Sequence, residues 1–164
     1  MVIEVVSGSG SGRTEISAFD SALKCAGVYN YNLIYLSSII PKNCEVIQIG
    51  HYREQVEKYG HRLYVVQAKC ISRKSGQFVA AGLGWYQTTN SQGLFVEHEL
   101  EGDAEDNVRN SIRRSIYDSL EDLCAFREIH FDEENVNSLI VVSEVIGQPK
   151  CALVIAVYKS EPWE

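Results

Sequence analysis

An α+β domain is what this sequence predicts, and three observations predict it. Two segments carry apolar residues at three- and four-residue spacing, about seven others read as strands, and no linker, repeat or low-complexity block separates them. A helix with one apolar stripe buries that stripe by lying on the outer face of a sheet. With 164 residues, 45% of them hydrophobic and 23% charged, the chain has the material for one core and falls in the ordinary globular class. Residues 1–164 are therefore expected to form a single domain.

The elements follow in order. Val2 to Val6 reads as a strand, and Ser7 to Thr14, rich in glycine, as a tight connection using positive φ angles. A phosphate-cradling loop through Gly8, Gly10 and Gly12 is a weaker alternative, because G-x-G-x-G matches neither the dinucleotide nor the Walker spacing. Thr14 then caps a helix whose stripe is Ile16, Phe19, Leu23 and Ala26, and Gly27 ends it. Asp20 follows Phe19 by one residue, about 100° round the helix, at the edge of that stripe. After Tyr29-Asn30-Tyr31 an apolar strand from Asn32 runs into Ser37-Ser38 and stops at Pro41, which cannot donate to a ladder.

Cys44 to Ile49 is a further strand, and His51 to His61 an exposed excursion or short helix. Leu63–Ser72 and Gln77–Gln87 flank Arg73-Lys74-Ser75-Gly76, which predicts a hairpin. In the strand from Gly93 to Leu100, alternation puts Phe95, Glu97 and Glu99 on one face and Leu94, Val96, His98 and Leu100 on the other. Asp103 is the expected cap of a long helix with the stripe Val108, Ile112, Ile116, Leu120 and Leu123. Two last strands, about Ser138 to Ile146 and Cys151 to Lys159, face each other across Gly147-Gln148-Pro149-Lys150.

Charge and motif counts narrow the function. A net charge of −7 provides no basic field for a phosphate backbone, so a nucleic-acid partner is not expected, and a cationic ligand suits the balance better. No apolar run reaches bilayer length and the N-terminus lacks a signal-peptide pattern, which predicts a cytoplasmic protein without membrane contact. Five cysteines at 25, 44, 70, 124 and 151 have no zinc-type spacing and read as free thiols in a reducing compartment. Histidines at 51, 61, 98 and 130 offer neither a metal pattern nor a triad, so no metal is expected.

Taken together, Ala18-Phe19-Asp20-Ser21-Ala22-Leu23, Asn32-Leu33-Ile34 and Ser37-Ser38-Ile39-Ile40-Pro41 make the chain resemble the pyruvoyl-dependent arginine decarboxylases. The resemblance implies a four-layer αββα sandwich, assembled as a homotrimer or a hexamer of two trimers, with active sites at subunit contacts. It also implies self-cleavage between Ser37 and Ser38 into fragments 1–37 and 38–164, Ser38 becoming a covalent pyruvoyl cofactor. Removing carbon dioxide from an amino acid leaves an electron pair at Cα that needs a sink, and none of the twenty side chains provides an electrophilic carbonyl. Asn32 is then the donor that polarises the Ser37 carbonyl or its oxyanion during cleavage. By the same resemblance Glu97 is expected to return a proton to Cα, and Asp20 to hold the guanidinium of arginine by paired charge-assisted bonds. Agmatine and carbon dioxide are the implied products.

Two positions depart from the family pattern: Tyr29 stands where a glycine is common, and Lys42 where a second proline is. A bulky Tyr29 bears on which amino acid fits, and Lys42 on the chain's exit from the cleavage site. An uncleaved homologue acting as a binding or scaffold subunit, and a decarboxylase of another amino acid, are the alternative readings.

Overall fold

The computed structural model describes residues 1–53 and 55–164. Among the described residues two sheets and two α-helices make an α+β domain, in layers compatible with the expected sandwich. One sheet has β1 (Val2–Ser11), β2 (Asn32–Tyr35), β4 (Glu45–Gln48), β5 (Arg62–Ser72) and β9 (Lys150–Glu161), in the order β2-β5-β9-β1-β4. The second has β3 (Ile39–Ile40), β6 (Phe78–Gln87), β7 (Gly93–Gly102) and β8 (Asn137–Glu144), in the order β3-β7-β6-β8. Val5, Val66, Val154 and Ala156 from the first sheet meet Val79, Leu83 and Phe95 from the second in the central core.

Each helix covers an outer face. α1 (Glu15–Ala26) lays Ala18, Ala22, Leu23 and Ala26 on Val6, Val65, Leu153 and Ile155. α2 (Glu105–Ala125) lays Val108, Ile112, Ile116, Leu120 and Cys124 on Ala80, Leu94 and Val96. The expected α2 stripe is thus present with Cys124 as its last buried member, Leu123 lying at its half-buried margin. Around α1 the buried line is the alanine face rather than one through Ile16, which is 82% exposed.

Thr14 and Gly27 bound α1 as expected. The Thr14 side chain accepts from Ser17 N, the Ser17 hydroxyl reciprocates at the Thr14 backbone, and Gly27 closes the helix at φ 89°. Asp103 is not the cap of α2. The N-cap is Ala104, without a side-chain bond, and Asp103 instead accepts from the Gln77 amide.

Three connections differ from expectation, each for a physical reason. The glycine run is not a turn: β1 extends through it to Ser11, and none of Gly8, Gly10 and Gly12 has a positive φ. These glycines let α1 approach, since a Cβ on Gly8 would stand 2.3 Å from Ala22 O and one on Gly10 2.4 Å from Ala22 N. A phosphate loop has no place there. Arg73 to Gly76 does not make a hairpin either; it carries the chain from β5 in one sheet to β6 in the other, with Gly76 at φ 87°. Likewise β8 and β9 face each other across the central layer and belong to different sheets. Between 51 and 61 the described residues hold one short 3-10 turn, Val56–Lys58, and Glu54 lies outside the described residues.

The segment with the serine pair also changes sheets. It is two strands rather than one, β2 parallel to β5 and β3 antiparallel to β7, with Leu36, Ser37 and Ser38 crossing between them.

Candidate active site

Strand alternation places Glu97 as the sequence suggests. Phe95 faces the central core, Leu94 and Val96 face α2, and Glu97 follows Phe95 along the inner side of β7. β3 covers β7 only at Leu94 and Gly93, so the strand beyond them is open at the sheet edge. Ser38, just before β3, reaches that opening. Its carbonyl accepts from Phe95 N at 2.8 Å, and its hydroxyl donates to Glu97 Oε1 at 2.6 Å, a length typical of a hydroxyl bound to a carboxylate. Glu99 is engaged elsewhere, accepting from Lys69 N at 3.0 Å.

A cavity of about 340 Å³ lies at this edge, with Ser38, Glu97 and His98 on the strand side, Ser119 and Asp122 on α2, and Phe126 at the C-cap of α2. His98 Nε2 lies 2.9 Å from Ser119 Oγ, which ties β7 to α2. Burial lowers the His98 imidazole below its ordinary 6.5, against an upward pull from Glu97 and from the backbone at Ser115. Tyr158 on β9 forms the other wall of the crossing. Its hydroxyl donates to Ile39 O at 2.9 Å, and its ring meets Phe95 edge-on with centroids 6.2 Å apart. Burial, with Cys44 and Glu97 adding to it, raises that phenol well above its ordinary range, so it stays a donor.

Residues 2–161 match the family described as pyruvoyl-dependent arginine decarboxylase. The chain belongs to that family. A pyruvoyl-dependent arginine decarboxylase of Halobacterium salinarum is 33% identical over 156 residues, spanning 95% of this chain and 92% of the relative. Those of Methanococcus vannielii and Methanococcoides burtonii are 33% and 31% identical, over 65% and 62% of this chain and 65% and 57% of their own lengths.

Of the residues that the family resemblance singled out, one chain brings Ser37, Ser38 and Glu97 together and leaves two apart. Asn32 sits at the far end of β2, where its amide donates to Gly60 O at 2.7 Å. It lines a separate cavity of about 210 Å³ with Tyr29, Asn30, Tyr31 and Tyr59. Asp20 is exposed on α1 and does not line the Ser38 cavity. Sequence reasoning missed Tyr158, Ser119 and Asp122. Tyr158 is 119 residues from the carbonyl it binds, and the only sign of it was a phenol at an inward position of β9.

Proposed function

We propose that this chain is a self-processing decarboxylase that converts L-arginine to agmatine and carbon dioxide in the cytoplasm. The observation that carries the reading is the 2.6 Å bond from the Ser38 hydroxyl to Glu97, at the peptide where the chain crosses between sheets. A hydroxyl so placed has a base in contact, and the carbonyl of Ser37, on the far side of the residue's own peptide nitrogen, is close enough along the chain to be attacked through a five-membered ring. These residues fit a cofactor made from Ser38, because its side chain already opens into the 340 Å³ cavity.

Processing begins when Ser38 Oγ bonds to the Ser37 carbonyl carbon while Glu97 takes the hydroxyl proton. The Ser37 C–N bond then breaks, the Ser38 nitrogen takes up a proton, and an ester remains. Loss of the Ser38 Cα proton and cleavage of Cβ–Oγ release residues 1–37 as a carboxylate. Water then replaces the nitrogen of the resulting enamine, freeing ammonia and leaving residues 38–164 with a pyruvoyl end. When present, that group supplies the electrophilic carbonyl that accepts the electron pair left at Cα as carbon dioxide departs. Glu97 delivers a proton to Cα, Asp20 pairs with the guanidinium, and Phe126 and Leu123 wall the cavity against water.

Asp20 and Asn32 serve this chemistry from a neighbouring copy. In support, β2 and β3 are both edge strands, and Tyr35 at 58% exposure, Ile39 at 48% and Phe126 at 76% leave apolar surface near the serine pair. We therefore propose a homotrimer, or a hexamer of two trimers, in which Asn32 of one copy approaches Ser37 of the next. Tyr29, half-buried beside Asn32, then narrows the substrate side of the site.

Intact mass and a denaturing gel test the reading. The expected result is two pieces, 1–37 and 38–164, the larger with a ketoacyl end in place of Ser38. Carbon dioxide release is expected from arginine ahead of lysine, ornithine and aspartate. Decarboxylation by an uncut 18.4 kDa chain would overturn the mechanism.

A further inference from the structure

The crossing from Leu36 to Ile39 is held by four hydrogen bonds, three between backbone groups and one from a side chain, and one of them touches the carbonyl that the proposed cleavage attacks. Leu36 N donates to Val65 O at 2.8 Å, Ser38 O accepts from Phe95 N, and Ile39 O accepts from the Tyr158 hydroxyl. The fourth runs from Ile39 N to Ser37 O at 2.6 Å, closing a three-residue turn with Ser38 at its centre. Ser38 C=O and Ile39 N–H belong to one planar trans peptide, so they point in opposite directions. By binding that oxygen, β7 aims the N–H away from itself and at Ser37 O.

We propose that the backbone N–H of Ile39 is the donor within the chain that stabilises negative charge on the Ser37 oxygen during self-cleavage, with Tyr158 the positioning residue that holds Ile39 in place. This rests on the self-cleavage reading above. As Ser38 Oγ bonds to the Ser37 carbon and its proton passes to Glu97, the carbonyl π pair moves onto Ser37 O. It meets a donor already in place, and no group has to reorganise at that moment. Collapse returns the pair to the carbonyl and expels the Ser38 nitrogen, which takes the proton back from Glu97. The ester that results is an isomer of the starting peptide. Tyr158 acts through the next carbonyl: by holding Ile39 O on one side while Phe95 N holds Ser38 O on the other, it fixes Ile39 at both ends. Asn32 of a neighbouring copy is a second donor to the same oxygen, and cleavage does not wait on it alone.

The test follows cleavage of the full chain after cell-free synthesis, by denaturing gel and intact mass, in wild type and three variants. Ile39→Pro removes the N–H and is expected to slow cleavage about 100-fold or more, the usual cost of losing an oxyanion donor. Ile39→Ala keeps the N–H and is expected to cleave within about twofold of wild type, because the donor is backbone. Tyr158→Phe keeps the ring and is expected to slow cleavage about fivefold, the worth of one neutral hydrogen bond. Hydroxylamine, which cuts an accumulated ester, is expected to add no fragments to those that either slow variant releases unaided, since the defect lies before the ester. Wild-type rates in a folded Ile39→Pro chain overturn the proposal, as does release of fragments from the slow variants by hydroxylamine. If circular dichroism shows Ile39→Pro unfolded, Tyr158→Phe decides: a wild-type cleavage rate overturns the proposal. A wild-type chain that is never cut refutes the self-cleavage reading itself, a separate result on the same gel.

Discussion

Glu97 and Glu99 share a face of β7, and their neighbours give them different work. Glu99 is occupied by a backbone amide of β5, whereas Glu97 accepts from the Ser38 hydroxyl, the group proposed to become the cofactor. Ser38→Ala is therefore expected to give an uncut, inactive chain by intact mass and carbon dioxide release. Glu97→Gln keeps an acceptor for the Ser38 hydroxyl but can neither take its proton nor return one to Cα. It is expected to be cut more slowly than wild type and, once cut, to turn over about 100-fold or more slowly, the usual size of general acid–base effects.

His98 gives a pH signature of the same region. Burial holds its folded imidazole below the ordinary 6.5, so on acidification the unfolded chain takes up this proton first. Stability from this group is full above the unfolded pKa and is lost as pH falls through the window between the unfolded and folded values. In the uncut Ser38→Ala background, the melting midpoint is expected to fall as the pH is lowered through and below the ordinary imidazole range, and His98→Gln to remove part of that fall. A slope unchanged by His98→Gln would show that the proton goes elsewhere. At this scale alternation along β7 was legible, which is why Glu97 and His98 were separated correctly. The partners were not: Ser38 and Ser119 lie 59 and 21 residues from the side chains they bind, and no local pattern encodes such pairings.

At the scale of elements, β1 shows how one composition supports two readings. A glycine-rich stretch is a turn where φ is positive and a docking groove where a helix must come close, and the two look alike until the helix is placed. The apposition is tight enough to predict a cost. Gly10→Ala sets a methyl group against Ala22 N and the Ser21 backbone, atoms that cannot swing aside, whereas a Cβ on Gly50 meets nothing within 4 Å. In the Ser38→Ala background, Gly10→Ala is expected to cost about 1–3 kcal/mol by overpacking. That corresponds to a melting midpoint lower by about 3–10 °C for a chain of this size, with Gly50→Ala nearly neutral. Equal effects at the two sites would mean that the groove is not load-sensitive. The caps of α1 were legible because capping is local; the assignment of β5 and β6 to different sheets was not. Arg73 to Gly76 signals that the chain reverses, but β6 is apolar on both faces, so nothing local says whether the next strand pairs with β5 or crosses the core.

For the whole molecule, the layers were readable from two one-sided helices and many strands, while the completeness of the site in one chain was not. Ser38 and Glu97 meet at the open edge of one sheet, and Asn32 and Asp20 lie on the other sheet's edge strand and covering helix. The proposed division of one site between two copies predicts complementation. Asp20→Asn alone is expected to raise KM for arginine about 10- to 100-fold, the worth of a charged hydrogen bond, and Glu97→Gln alone to lower kcat. If the halves come from adjacent copies, co-expressing the two variants places an intact Asp20 beside an intact Glu97 in about a quarter of the sites of a randomly mixed ring with head-to-tail contacts. If both residues act within one chain, no site in the mixture is intact. Measuring arginine decarboxylation at low substrate in the mixed assembly separates the two cases, with light scattering to confirm a mass of three or six times the 18.4 kDa chain. Recovery to roughly that quarter fixes the site at the contact between copies; activity no higher than that of the separately purified variants places Asp20 and Glu97 in one chain's site, and a wild-type KM in Asp20→Asn alone leaves the choice of substrate to the residues lining the Ser38 cavity, Asp122 among them.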